Sequence, residues 1–262
     1  MSDTFYVGYL EPKPETTRRL KRLAATLVVL AAVVATVLAI ATGPFDRATY
    51  EYGSEREWQG TLEATPYPVL ITMNRAVPGS PFGTYERFPL VARGKHGAAA
   101  LVTGLDGATV RLKGSRIIRQ ETTMLEVVPG TIERIDSSLP ANGKPGPAFQ
   151  IEDRGHVTLQ GEIVDSKCFL GVMNPGRLEV HRACAIRCIA GGVPPMLYVQ
   201  ESDGREAHLL LVDSNGQPIN DRVLDMVGVP VTIEGRLERR DDLYYLYAEK
   251  WGHSAFSYKA SK

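Results

Sequence analysis

The sequence has little cysteine and no excess charge of either sign. Three cysteines occur in 262 residues, and all of them fall between Asp165 and Pro195. An odd number excludes a fully paired intrachain disulfide framework, so at least one thiol is free, metal-bound or joined to another molecule. Lysine and arginine together number 30, balanced by 30 aspartates and glutamates, which leaves no basic field to attract nucleic acid. Fixed catalytic motifs are missing too. There is no nucleophile elbow, phosphate-binding glycine loop, HExxH or paired-carboxylate pattern, so enzymatic catalysis is the least supported reading.

One long apolar run is present. Leu23 to Ala41 reads LAATLVVLAAVVATVLAIA without a charge, and at 1.5 Å per residue a helix of this length crosses a hydrocarbon core of about 30 Å. Residues 23–42 are therefore expected to form a transmembrane helix that acts as an uncleaved signal anchor. Arg18, Arg19, Lys21 and Arg22 stand directly before it, and Gly43, Pro44 and Asp46 follow it. The positive-inside rule then keeps residues 1–22 in the cytoplasm as a short tail and places the rest outside, in the periplasm if the source is bacterial. A cleaved signal peptide is the rival, since Ala39 and Ala41 form an A-x-A-like site, but the apolar run is longer than a usual signal core. In the tail, Phe5, Tyr6, Tyr9 and Leu10 are candidates to lie on the membrane or a partner.

The remainder contains an internal repeat. Aligning Gly114 on Gly235 also pairs Val110 with Val231, Leu112 with Ile233, Arg119 with Arg240 and Leu125 with Leu246. Both stretches read as β-hairpins, with alternating apolar residues and a glycine in mid-strand where a small sheet bends or bulges. Their beginnings correspond as well: Trp58 to Glu63 matches Leu159 to Val164, each with an internal glycine. The interval from Gly60 to Gly114 is shorter than that from Gly161 to Gly235 by about the length of the cysteine segment, so the second copy carries an insertion. Domains are expected at 46–136 and 150–262, joined by a proline- and glycine-containing linker at 137–149.

The second copy offers strands at His156–Val164, Met196–Gln200 and Ala207–Val212, then a short helix from Asn220 through Val227 stopped by Gly228, then the closing hairpin. The first offers a reduced version, with strands in Glu57–Met73 and Tyr85–Ala92, a short helix near Ala98–Thr103, and its own hairpin. This order resembles the OB-fold, a five-stranded Greek-key barrel. The expected class is mainly β: two tandem small OB-like barrels after one N-terminal transmembrane helix. The resemblance implies a fold and no activity. The cysteine segment is similar to segments of uncharacterised bacterial membrane-anchored proteins. Although OB-folds often bind oligonucleotides, mixed charge on the outward faces argues against nucleic acid here.

Within the segment, Leu178 to Ala190 reads as a helix ended by Gly191 and Gly192. At about 100° per residue His181, Cys184 and Cys188 share one face, with Arg182 and Arg187 turned away. Cys168, at the end of the preceding strand, can be returned opposite that face. Cys168, His181, Cys184 and Cys188 form a Cys3His set suited to tetrahedral zinc, and Met173 or Met196 nearby would suit copper(I). Two other readings stand beside this one: a disulfide from Cys168 to Cys184 or Cys188, and plain packing of small residues. His96 lies near Arg93 and Lys95 in a solvated loop, His156, His208 and His253 lie in or beside strands, and Tyr244, Tyr245 and Tyr247 are barrel residues or a docking face.

Two functions follow as expectations. The first is a membrane-anchored accessory or structural subunit that docks to a protein partner in a membrane complex, with the Cys/His insertion as a staple. The second is a zinc, copper or thiol redox carrier that uses the cluster itself.

Overall fold

A computed structural model describes residues 13–41, 48–74, 84–135, 150–201 and 204–254. The aromatic residues of the tail and the 137–149 linker lie outside these segments. The chain divides into two compact units, 1–45 and 46–262.

The first unit contains helix α1, Pro14–Ala41. Its uncharged second half presents valine, leucine and isoleucine on every side. That pattern belongs to a helix whose surroundings are apolar all round. It is the one helix among the described residues long and apolar enough to cross a membrane, which fits membrane association; a signal sequence meets the same criteria.

The second unit is built from strands β1 (Ala48–Tyr50), β2 (Arg56–Glu63), β3 (Val69–Asn74), β4 (Thr84–Val91), β5 (Thr109–Arg119), β6 (Thr122–Val127), β7 (Glu133–Arg134), β8 (Ile151–Asp165), β9 (Pro195–Gln200), β10 (Glu206–Asp213), β11 (Pro230–Arg240) and β12 (Leu243–His253), with helix α2 (Glu179–Ala190) between β8 and β9. Strands β5-β2-β3-β4-β6 close into one barrel, since β6 also pairs with β5, and β1 and β7 add to the β5 edge. Strands β8-β9-β10-β12-β11 close into the second. The order is the same strand for strand. In each barrel the third and fifth strands pair in parallel (β4 with β6, β10 with β12) and every other barrel neighbour is antiparallel. This is the Greek-key closure of the OB-fold, so the protein is mainly β with two closed five-stranded barrels.

The mid-strand glycines serve closure in different ways. At Gly235 the β11–β12 register shifts, the irregularity expected where a strand bends round a barrel. Gly114 is where β5 passes from one neighbour to the other, the end of its ladder with β2 at Arg56 and of its ladder with β6 at Val127. Gly60 and Gly161 are sites of close approach, where a Cβ would press on the carbonyl oxygens of Ile71 and Tyr198 respectively.

The short helix expected from Asn220 is instead two 3-10 turns, Asn220–Arg222 and Leu224–Met226. Asn220 does not cap them. Its side-chain amide donates to the carbonyls of Ile189 and Val193 at 2.8 and 3.0 Å, which ties the end of α2 to the barrel. The first barrel likewise has only a 3-10 turn, Ala99–Leu101.

Each barrel has its own interior. Leu62, Leu70, Leu90, Val110, Leu112 and Leu125 fill the first, and Ile163, Leu197, Leu211, Val231, Ile233 and Leu246 fill the second. A third core lies between them, where Val69, Ile71, Val91, Ile117 and Met124 meet Val164, Phe169, Tyr198, Leu210 and Tyr245. Tyr245 and Tyr247 belong to this third core, so that face of β12 packs against the first barrel, while Tyr244 and Leu246 turn to the interior of the second. Polar contacts finish the junction. Buried Arg87 pairs with Glu63 at 2.6 Å in its own barrel and with Asp241 at 2.8 Å in the other, while its backbone N–H donates to Asp242. Arg119 pairs with Glu206 at 3.1 Å. The Tyr67 hydroxyl donates to the Leu211 carbonyl and accepts the Ile219 N–H.

Candidate metal centre

The cysteine segment leaves the second barrel at Asp165, the last residue of β8, and returns at Pro195, the first of β9. The peptide does not run straight into a loop. Oδ1 of Asp165 accepts the backbone N–H of Cys168 at 2.8 Å, and Cys168–Val172 turns as a short π-helix. That turn presents the Cys168 side chain inward, buried with Phe169 and Leu170. The start of α2 is pinned as well, because the Leu178 N–H donates to the carboxylate of Glu162 on β8.

Helix α2 then carries His181, Cys184 and Cys188 as the spacing predicts, with His181 and Cys188 buried, Cys184 half-buried and Arg187 exposed. The sulfurs of Cys168, Cys184 and Cys188 lie within 4.8 Å of one another. No disulfide joins them. His181 belongs to a second group: its ring nitrogen, the Cys168 sulfur and an Asp165 oxygen also lie mutually within 4.8 Å. Its Nε2 is 3.0 Å from Oδ2 of Asp165. The expected four-residue set is thus resolved into two triads that meet only at Cys168 among the described residues, and Asp165 joins the second. A Cys/His/Asp cluster in this arrangement can hold a metal ion, since thiolate, imidazole and carboxylate are all ordinary ligands of a borderline ion.

The first barrel reaches this site. Lys95 donates through Nζ to the Cys184 sulfur at 2.6 Å. The loop that carries it is held on both sides: Lys167 donates to the carbonyls of Ala92 and Gly94 at 2.8 and 2.7 Å, and the Gly97 N–H donates to the Gly191 carbonyl at 2.9 Å. The fit needs glycine at 191, because a Cβ there would collide with the Lys95 carbonyl oxygen. Lys167 is itself paired with Glu126, which also accepts the Tyr50 hydroxyl.

The three thiols are not equivalent. Cys168 is pushed far up, first by the hydrogen bond it donates to Cys188, then by burial and by the charge of Asp165. Cys188 is brought down, chiefly by accepting that bond, with Lys95 and Cys184 assisting. Of these two, Cys188 is the readier to ionise and Cys168 the more reluctant.

All three sulfurs line a cavity of about 620 Å³ whose wall also includes Tyr50, Lys95, Lys167 and Met173. Neither Lys95 nor Asp165 was singled out from sequence as part of the site. Asp165 had a local signal, an acidic residue three positions before the cysteine at a strand end. Lys95 had none, being 89 residues from its partner. The other histidines lie elsewhere. His208 is buried with Nδ1 at 2.9 Å from the Thr122 hydroxyl, His156 pairs with Glu249 at the surface, and His96 is exposed. Among known proteins, the chain matches no family model and no curated sequence.

Proposed function

We propose that this protein is a membrane-anchored, extracytoplasmic metal-binding accessory protein that holds a thiophilic ion on Cys168, Cys184 and Cys188 and presents it to a partner at the same membrane. The observation that carries this reading is the position of the three sulfurs on the wall of an open cavity. Thiolates select zinc or copper(I) among the common ions. Three protein ligands would leave a tetrahedral ion one free position, and all three cysteines line the cavity from which a partner's ligand would reach it. Zinc is the favoured ion because Asp165 and His181 add harder donors at the inner side of the cluster. The flank of arginine and lysine before α1 supports the outward placement of residues after 45, and the like-ordered barrels support descent from one repeated unit.

The staple reading makes a different prediction. A closed structural ion resists chelators, whereas an ion with an open position exchanges. With the full-length chain purified in detergent under reducing conditions, a chromophoric chelator in excess should remove zinc within minutes and leave the protein folded. Zinc retained for days, or released only on unfolding, would support the staple. Absence of any zinc or copper(I) binding would remove both.

A further inference from the structure

We propose that the cluster holds two metal ions bridged by the sulfur of Cys168, the second lying among Asp165, Cys168 and His181. This rests on the thiolate site proposed above and extends it inward.

The geometry consists of two triads with one shared corner. Each has its ligand atoms mutually within 4.8 Å, close enough that small side-chain shifts reach the roughly 3.3–3.8 Å edge of a tetrahedron built on metal–ligand bonds of about 2.0–2.3 Å. The outer triad is all sulfur and opens on the cavity. The inner triad is sulfur, nitrogen and oxygen, and each of its residues is buried. Thiolate sulfur has lone pairs enough to serve two ions.

Charge argues in the same direction. The Asp165 carboxylate is fully buried and, among the described residues, meets Cys168 and His181 but no lysine or arginine. A buried carboxylate is stabilised when a cation lies beside it. The nearby ammonium of Lys167 is committed to Glu126 and two carbonyls, and Lys95 reaches Cys184 on the outer side. Three thiolates and one carboxylate carry four negative charges, of which the Lys95 ammonium at Cys184 answers one. One divalent ion still leaves a negative charge uncompensated, and it falls at the inner triad, where Asp165 lies.

Cobalt(II) is the probe. Titrated anaerobically into the full-length chain, it should bind at two equivalents. The sulfur-to-cobalt charge-transfer band should grow through both, and the electron paramagnetic resonance signal should rise with the first equivalent and fall by at least half with the second, because a thiolate bridge couples the two spins. His181→Gln should stop at one equivalent with the charge-transfer band retained. Saturation of the wild type at one equivalent would overturn the second site and leave the thiolate site standing. Two equivalents with additive resonance intensity would overturn the bridge. No cobalt binding and no charge-transfer band would overturn both proposals together.

Discussion

The two barrels share strand order, parallel closing pair and placement of glycine in the first strand, yet among the described residues only the second carries a cluster of metal-ligating groups. The difference lies in a single connection. Between its first and second strands the first barrel spends residues 64–68, and the second spends 166–194. A barrel of this kind tolerates such an insertion because the ends to be joined, Asp165 and Pro195, are register partners held by the β8–β9 ladder, and longer loops cost little extra closure entropy. The comparison teaches where chemistry is added: at a loop between strands that are already fixed. The first barrel is not idle, for it supplies Lys95 and one wall of the cavity.

The comparison is sharpened most by cutting the junction. Arg87→Ala leaves Asp241 buried without its partner and should cost about 3–5 kcal/mol, with both barrels melting at one lowered temperature by calorimetry. Two separate transitions would mean the barrels fold independently. Cys168→Ser is expected to lower zinc affinity by more than about 100-fold, beyond the 10- to 100-fold typical of an outer-shell partner, and to leave the first barrel's far-ultraviolet and tryptophan signals unchanged. A chelator competition measures it.

Gly60→Ala and Gly161→Ala test whether the barrels are mechanically alike. Both place a methyl group against a facing carbonyl oxygen, so each should destabilise by roughly 1–3 kcal/mol in urea unfolding. A tolerated change in one barrel alone would break the parallel.

Acid should weaken the junction by a predictable route. Burial alone would raise Glu206, but the His208 ring 3.6 Å away and the hydrogen bonds from Arg119 and Tyr198 outweigh it and bring the carboxyl from its ordinary 4.5 down to about 2. A depressed carboxylate contributes stability above about 4.5 that is lost as the pH falls through about 2. The stability gap between the wild type and Arg119→Met should narrow over that window in melts at a series of pH values. The smallest effect is expected at the rim: Lys95→Met, removing an exposed ammonium that repels the ion and competes for the Cys184 sulfur, should strengthen zinc binding about two- to fivefold, the range of a solvent-screened pair.

Much of this architecture was legible in the residues. Alternation of Val231, Ile233, Gly235 and Leu237 marked a strand with one buried face, and the helical spacing of His181, Cys184 and Cys188 placed them on one side of α2. Local patterns do not encode who packs against whom at long range. The intervening core depends on Val69 and Ile71 meeting Phe169 and Tyr198, and nothing in either stretch announces the other. Asn220 shows the same limit from the opposite side. A good capping residue was drawn to two carbonyls at the end of another element, and tertiary bonding overrode its local preference.

The central claim is that the sulfurs of the inserted segment bind metal. X-ray absorption at the zinc edge of the zinc-loaded full-length protein tests it directly. A first shell dominated by sulfur at about 2.3 Å is predicted, and its sulfur amplitude should fall in Cys168→Ser and vanish in the triple serine variant of Cys168, Cys184 and Cys188. A shell of nitrogen and oxygen alone would contradict the account.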